Sequence, residues 1–224
     1  MFRGKKISVV IPCFNEEEGL ERVIPSLPAS VDEIIVVDNN STDRTAEVAR
    51  RLGARVVFEA RKGYGAAYKA GLAAVTGDIT VTMDGDGTYP ADQIEECVAY
   101  LLDRDVDFLS ASRFPLEDAR VMSFSNKVGN AILTFATLVL FMRGIRDSQS
   151  GMWIFRSPLY RQLSPVSDGM PFSEEIKIKA IRAGGVRFDE HHIRYSPRIG
   201  EVKLEKWRDG FRNLWYLARL RCAR

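Results

Sequence analysis

Short apolar runs alternate with amphipathic stretches along the first half of the chain. Ile7-Ser-Val-Val-Ile11 and Glu33-Ile-Ile-Val-Val-Asp38 are rich in β-branched residues and bounded by polar turns, which predicts strands buried on both faces. Asn15-Glu-Glu-Glu18 opens a predicted helix, with Asn15 as its cap, Glu18 at the capping-box position, and Leu20, Val23, Ile24 and Leu27 at helical spacing. Asn39-Asn-Ser-Thr-Asp43 reads as a turn and cap before a helix carrying Ala46, Val48, Ala49 and Leu52. A strand from Arg55 to Glu59 leads through Arg61-Lys-Gly-Tyr-Gly65 into an Ala-rich helix ending near Val75. A strand at Ile79 to Met83, a helix at Ala91 to Leu102 and a strand at Phe108 to Ser112 follow. Strands alternating with helices predict crossover units and a mainly parallel α/β sheet.

The pattern changes after Arg113. Val121 to Phe141 predicts one or two amphipathic helices, and Asp147-Ser-Gln-Ser-Gly151 a polar loop. Trp153 to Phe155 predicts a strand, Phe172 to Ala183 a helix, Val186 to Asp189 and His191 to Tyr195 short strands, and Trp207 to Leu220 a final helix. With no internal repeat, low-complexity tract or linker, residues 1–224 are expected to form one domain.

Composition narrows the class. A hydrophobic content of 46% and a charged content of 28% are ordinary for a globular protein. The net charge of +2 is too small to argue for a nucleic-acid partner, although Arg and Lys concentrate between Arg194 and Arg224. Cys13, Cys97 and Cys222 are odd in number and lack metal-ligand spacing, which points to a reducing, cytoplasmic compartment. Met1 to Lys6 leaves no room for a signal peptide before the first strand. Ala131 to Met142 is shorter than the ~20 apolar residues of a spanning helix, so no bilayer crossing is expected.

The chemistry concentrates where strands end. Thr80 to Pro90 finishes a strand in Asp84-Gly85-Asp86, two carboxylates one residue apart in a glycine-containing turn. Such oxygen ligands suit Mg²⁺ or Mn²⁺ and leave coordination positions for substrate phosphates. The competing reading is a polar turn in which Asp86 or Thr88 caps the helix near Pro90. Pro12, Asn15 and Glu16 follow the first strand, Asp38 closes the second, Lys62 and Gly63 follow the third, and Arg113 follows the fifth. Ligands gather outside the carboxyl ends of parallel strands, so this row predicts a site for a charged nucleotide. Each residue also has a structural alternative: Glu16 could favour a helix N-terminus, and Asp38 could cap the Ser41 turn. Neither a Gly-x-Gly-x-x-Gly fingerprint nor a phosphate-cradling Gly-x4-Gly-Lys-Ser/Thr loop is present, which disfavours dehydrogenases and kinase-type enzymes.

Taken in order, Val-Val-Ile-Pro12-Cys-Phe14-Asn15-Glu16, Ile-Val-Val-Asp38-Asn-Asn-Ser-Thr-Asp43, Lys62-Gly63-Tyr-Gly65-Ala-Ala and Met-Asp84-Gly-Asp86 resemble the inverting glycosyltransferases of family 2, which have the GT-A fold. Ala-Ser-Arg113, Asp147-Ser-Gln-Ser-Gly151 and Arg198-Ile-Gly-Glu-Val-Lys203 are similar to the dolichyl- or polyprenyl-phosphate branch, including dolichol-phosphate mannose synthases. The resemblance implies a nucleotide-sugar-binding half at 1–115 and an acceptor and membrane-interface half at 116–224. It also implies nucleotide contacts from Pro12, Phe14, Asn15, Glu16, Asp38, Lys62, Gly63 and Asp84, with Asp84 and Asp86 holding Mg²⁺ or Mn²⁺ on the diphosphate of a UDP- or GDP-sugar. Asp86, Arg113 and Arg198 would be catalytic, the two arginines meeting phosphates. The chain departs from the pattern at Thr88, where mannose synthases commonly have Gln. The family's Arg and Ser of the interfacial helices also lack clean counterparts; Asn126 and Lys127 lie nearby, and with Asp147 and Ser150 they form the expected acceptor set.

A lipid phosphate acceptor brings its own nucleophilic oxygen, since a phosphate monoester's second pKa is about 6. A sugar hydroxyl acceptor would need a carboxylate base, for which Asp147, Glu174 and Glu175 are candidates. A third reading is a catalytically silent nucleotide-binding protein. His191-His192 would point to opposite strand faces and cannot chelate one ion together, so both are read as structural. Val128, Ile132, Phe135, Ala136, Val139 and Leu140 would line one helix side. Trp207, Phe211, Leu214, Trp215 and Ala218 form a second stripe beside Arg208, Arg212, Arg219 and Arg221. These stripes either dock on the sheet or meet an anionic bilayer surface. With the resemblance, the expected partners are a membrane surface and an isoprenoid lipid phosphate. The expected location is peripheral, on the cytoplasmic membrane face, with a membrane subunit or homo-oligomer left open.

Overall fold

The computed structural model describes residues 1–200 and 206–222. Seven strands form one sheet: β1 (Ile7–Cys13), β2 (Val31–Asp38), β3 (Arg55–Phe58), β4 (Ile79–Thr82), β5 (Phe108–Ser112), β6 (Trp153–Arg156) and β7 (Phe188–His192). Their order is β3-β2-β1-β4-β6-β5-β7. All neighbours pair parallel except β6, which runs antiparallel between β4 and β5.

The helices are α1 (Glu17–Ser26), α2 (Thr45–Arg51), α3 (Tyr64–Ala73), α4 (Ile94–Asp103), α5 (Phe124–Phe141), α6 (Leu159–Leu163), α7 (Phe172–Arg182) and α8 (Lys206–Cys222). Alternation along β1 sends Val9 and Ile11 to one core, with Leu20, Ile94 and Leu101, and Val10 to the other, with Tyr68, Trp153 and Phe172. Both faces are therefore covered by helices, as the continuous apolar strands require. A third, small core joins Leu133 of α5, Ile178 of α7 and Leu217 of α8.

Several local expectations change. Asn15 does not cap α1: it adopts a left-handed conformation (φ 54°), and its Oδ1 accepts from the Thr42 amide at 2.7 Å. The two short strands expected near residues 186–195 are the single strand β7, because register with β5 continues through His192. The two histidines engage separate partners, His191 with Glu96 and His192 with the Pro115 carbonyl. β6 and β7 complete the same sheet as β1 to β5.

The apolar run expected to be too short for a bilayer lies inside a longer helix. α5 has 18 residues, about 27 Å at 1.5 Å per residue, and by length and composition is apolar enough to cross a membrane. Only 17% of it is buried.

Candidate active site

Topology explains why distant segments meet. Parallel strands β1, β2, β4 and β5 end on one edge of the sheet, and the loops after them face a common cleft. Because β6 is antiparallel, the 147–151 loop before it lies at that same edge. Parallel β7 likewise delivers Tyr195 and Arg198 there.

One cavity is lined by Pro12, Cys13, Phe14, Glu16, Asn39, Lys62, Gly63, Tyr64, Asp84, Asp86 and Arg198, among others. Lys62 Nζ stands 4.5 Å from the centre of the Phe14 ring. The adjoining cavity shares Tyr64, Asp84, Asp86 and Arg198, and adds Tyr89, Arg113, Asn126, Asn130, Gln149, Tyr195 and Asn213. Glycine permits the close fit behind the aspartates: a β-carbon on Gly19 of α1 would strike the Gly85 carbonyl oxygen.

Arg198 is the central cation. Its Nη2 donates to Glu16 Oε1 at 2.8 Å, and its Nη1 lies 3.1 Å from Asp86 Oδ2. Its buried Nε has no hydrogen-bond partner among the described residues. Asp86 Oδ1 accepts from the Thr88 amide and hydroxyl at 3.0 and 2.7 Å, which fixes the turn while Oδ2 faces the cleft. The first helical turn near Pro90 has no side-chain cap, so neither Asp86 nor Thr88 serves as one.

Burial, with Asp86 alongside, pushes the Asp84 carboxyl up to about 7 against the pull of Arg198 and Arg113. A divalent cation held between the two carboxylates would offset both the burial and their mutual repulsion. Among the described residues no cluster of three or more His, Cys, Asp or Glu side chains could cage a metal. The donor set fits Mg²⁺ or Mn²⁺ that retains water and substrate oxygens, and does not fit a closed structural site.

Arg113 is buried and held from both sides. Its Nε and Nη2 donate to Asp147 Oδ2 and Oδ1 at 2.7 and 2.8 Å, a two-pronged pairing, and its guanidinium lies 5.1 Å from the centre of the Tyr195 ring. Burial alone would raise the Asp147 carboxyl, but the guanidinium overrides it and holds the group below the usual carboxylate range.

Pro12, Phe14, Glu16, Lys62, Gly63, Asp84, Asp86 and Arg198 therefore converge on the cleft, and Arg113 and Asn126 on its extension. Asn15 and Asp38 do not line either cavity: Asp38 Oδ1 accepts from the Ser41 amide at 2.9 Å, and Asn39 takes the lining position. Lys127, Asp147 and Ser150 are also off the lining. Lys127 Nζ donates to the Ala119 carbonyl, and Asp147 and Ser150 lie beneath the surface. Sequence reasoning missed Asn130 and Asn213, whose placement depends on helix rotation and has no motif, and gave no role to Tyr64 and Tyr89, which lie within the quoted segments. Glu201, Val202 and Lys203 of the last motif, and the Trp207 side chain, lie outside the described residues.

None of the three candidate bases faces the cavities. Glu175 Oε1 and Oε2 accept from the amides of Val166 and Ser167 at 2.9 and 2.8 Å, Asp147 is bound to Arg113, and Glu174 accepts from Gln149 Nε2. Burial pushes the Glu174 carboxyl up to about 8. Folding then favours its protonated form, so this contribution is intact below an unfolded pKa near 4.5 and erodes as pH rises to about 8. Glu174→Gln is expected to leave Tm nearly unchanged near pH 4.5 and raise it by roughly 10 °C at pH 8, since a carboxyl moved from 4.5 to about 8 costs about 4 kcal/mol there. Calorimetric melting across that range would show parallel curves if the carboxyl were unperturbed.

The architecture and site define a GT-A glycosyltransferase. Residues 8–164 match Glycosyl transferase family 2, and the chain belongs to that family. It is 32% identical over 210 residues to a dolichyl-phosphate hexose transferase of Haloferax volcanii, covering 91% of this chain and 89% of that one. It is 33% identical over 218 residues to a low-salt glycan biosynthesis hexosyltransferase of the same organism, covering 94% of this chain and 52% of the relative, about half its length. Among solved structures, glucosyl-3-phosphoglycerate synthase of Mycobacterium tuberculosis in complex with Mn²⁺, UDP-glucose and phosphoglyceric acid matches with a TM-score of 0.75 at 26% identity. That match covers 98% of this chain and 80% of the other.

Proposed function

We propose that this glycosyltransferase moves one sugar from a UDP- or GDP-sugar onto a polyprenyl-type lipid phosphate at the cytoplasmic face of a membrane. The nucleoside would lie against Pro12, Phe14, Lys62 and Gly63, with the diphosphate near Asp84, Asp86 and Arg198. A divalent ion on the two aspartates would supply Lewis-acid neutralisation of the leaving diphosphate. Arg113 would orient the acceptor phosphate for attack on the anomeric carbon. The new oxygen–carbon bond forms as the bond to the diphosphate breaks, with inversion. Arg198, which lines both cavities, would stabilise charge on the departing group.

The observation that carries the reading is that none of Asp147, Glu174 and Glu175 lines a cavity, while Arg113 and Arg198 do. An acceptor with its own anionic oxygen needs no protein base. The relative named a dolichyl-phosphate hexose transferase supports the lipid. A water-soluble phosphorylated acceptor is the second reading, favoured by the phosphoglyceric acid in the similar crystal structure.

The helical surface supports a membrane location. Val128, Ile132, Phe135 and Val139 of α5, and Phe211, Leu214 and Trp215 of α8, are exposed, so these stripes do not dock on the sheet. Ala136 and Leu140, expected on the same side, instead turn inward toward Leu133 and Leu217. Arg212, Arg219 and Arg221 accompany the exposed face of α8.

Radiolabelled UDP- and GDP-sugars incubated with polyprenyl phosphate in detergent should yield lipid-extractable label. Label confined to water-soluble products would reject the lipid acceptor. Phe135→Asp with Trp215→Asp should weaken binding to anionic vesicles at least tenfold, since each side chain contributes about 1.5–3 kcal/mol on burial. Unchanged sedimentation with vesicles would rule out this face as the membrane contact.

A further inference from the structure

α7 presents an unusual polar face to the interior. Ser173, Glu174 and Lys177 are at most 3% exposed, and all three bond to the 147–151 loop. Lys177 Nζ donates to the carbonyls of Asp147, Ser148 and Ser150 at 3.3, 2.5 and 2.9 Å, while Ser173 Oγ donates to the Ser150 carbonyl at 3.1 Å. The ammonium therefore uses its donor capacity entirely on one loop backbone. Burying a lysine is costly unless it is paired and hydrogen-bonded, and an apolar side chain would pack beside Trp153 without that cost.

The loop it grips feeds the active site at both ends. At its start, Asp147 holds Arg113 by two side-chain bonds and also accepts from the Arg113 amide at 3.1 Å. At its end, the Gly151 amide donates to Tyr89 Oη at 2.6 Å, and its carbonyl accepts from Thr82 Oγ1 at 2.9 Å. A β-carbon on Gly151 would lie 3.5 Å from Asp84 Oδ1, so the loop backs directly onto the aspartate pair.

We propose that Lys177 is a positioning residue for Arg113: by fixing the 147–151 loop it holds Asp147, and through Asp147 the Arg113 guanidinium, in place for an acceptor anion. This rests on the anionic-acceptor reading given above. Lys177 lines neither cavity and reaches Arg113 through the loop that carries Asp147, so its effect is expected to be larger on acceptor use than on nucleotide binding.

The test compares Lys177→Met, Lys177→Gln and Lys177→Arg in the full chain. Calorimetry with UDP and Mn²⁺ should give affinities within about twofold of wild type for all three. With polyprenyl phosphate, or with phosphoglyceric acid as the soluble arm, acceptor KM should rise at least tenfold in the Met variant, less in Gln, and within threefold of wild type in Arg. A double-mutant cycle with Arg113→Lys should be non-additive on acceptor KM. A folded Lys177→Met protein with wild-type acceptor KM overturns the proposal, as does an equal loss of nucleotide binding. Failure of both neutral variants to fold also overturns it, assigning Lys177 to stability alone. Absence of wild-type transfer to either phosphorylated acceptor would instead defeat the anionic-acceptor reading, and the proposal with it.

Discussion

Asp86→Ala is expected to cut turnover by about 10³-fold or more and to abolish Mn²⁺-dependent nucleotide binding. A divalent ion at developing negative charge is worth several kcal/mol, and about 4 kcal/mol corresponds to that factor. Removing Asp86 also takes one of two carboxylates from Arg198, leaving its guanidinium on Glu16 alone. Because Asp86 Oδ1 also holds the Thr88 turn, alanine alone confounds chemistry with loop order. Asp86→Asn keeps an acceptor for that turn and should lose nearly as much activity. Calorimetry with UDP and Mn²⁺ is the direct readout. A variant that still binds UDP in a manganese-dependent way would show that Asp86 is no part of the ion's site.

Asp147→Ala is expected to lower stability by about 3–5 kcal/mol, because it leaves the buried Arg113 without its counter-charge. For a chain of this size that corresponds to a Tm fall of roughly 10 °C. The result separates two roles that the sequence left open. A general base replaced by a neutral residue would depress kcat while leaving the melting curve in place. A buried counter-ion would depress stability first, and acceptor KM with it as Arg113 moves. Thermal melting beside steady-state kinetics decides between them.

The strand motifs were legible because each is local. A continuous apolar run predicts a doubly covered strand, and a carboxylate pair at its end needs only one turn to face outward. That is why Pro12, Phe14, Glu16, Lys62, Gly63, Asp84 and Asp86 meet in the cleft as the motifs imply. Asp38 and Asn15 sit at the right strand ends but line neither cavity: Asp38 Oδ1 accepts from the Ser41 amide, the local alternative its spacing allowed, and Asn15 Oδ1 accepts from the Thr42 amide across two loops.

The acceptor side was harder to read. Asn130, Gln149 and Asn213 come from two helices and a loop, and only the rotation of α5 and α8 about the Leu133–Ile178–Leu217 core turns the two asparagines toward the cavity. The same rotation exposes Phe135 and Trp215 and hides Ala136 and Leu140. Amphipathic periodicity identifies an apolar stripe, but not whether that stripe meets protein or another phase.

By itself the sequence determined the alternating α/β plan, the acidic turn after the fourth strand and the membership of a sugar-transferring family. The first two depend on periodicity and on contacts within a few residues, and the third on the resemblance of the ordered motifs. Only the tertiary structure decided that an antiparallel strand inserts between β4 and β5, carrying the 147–151 loop to the catalytic edge. It alone also decided that Asp147 is bound to Arg113 and that Lys177 underpins both. Such pairings join residues roughly 30 positions apart, and low-dielectric burial makes them strong only after the whole chain has closed around them.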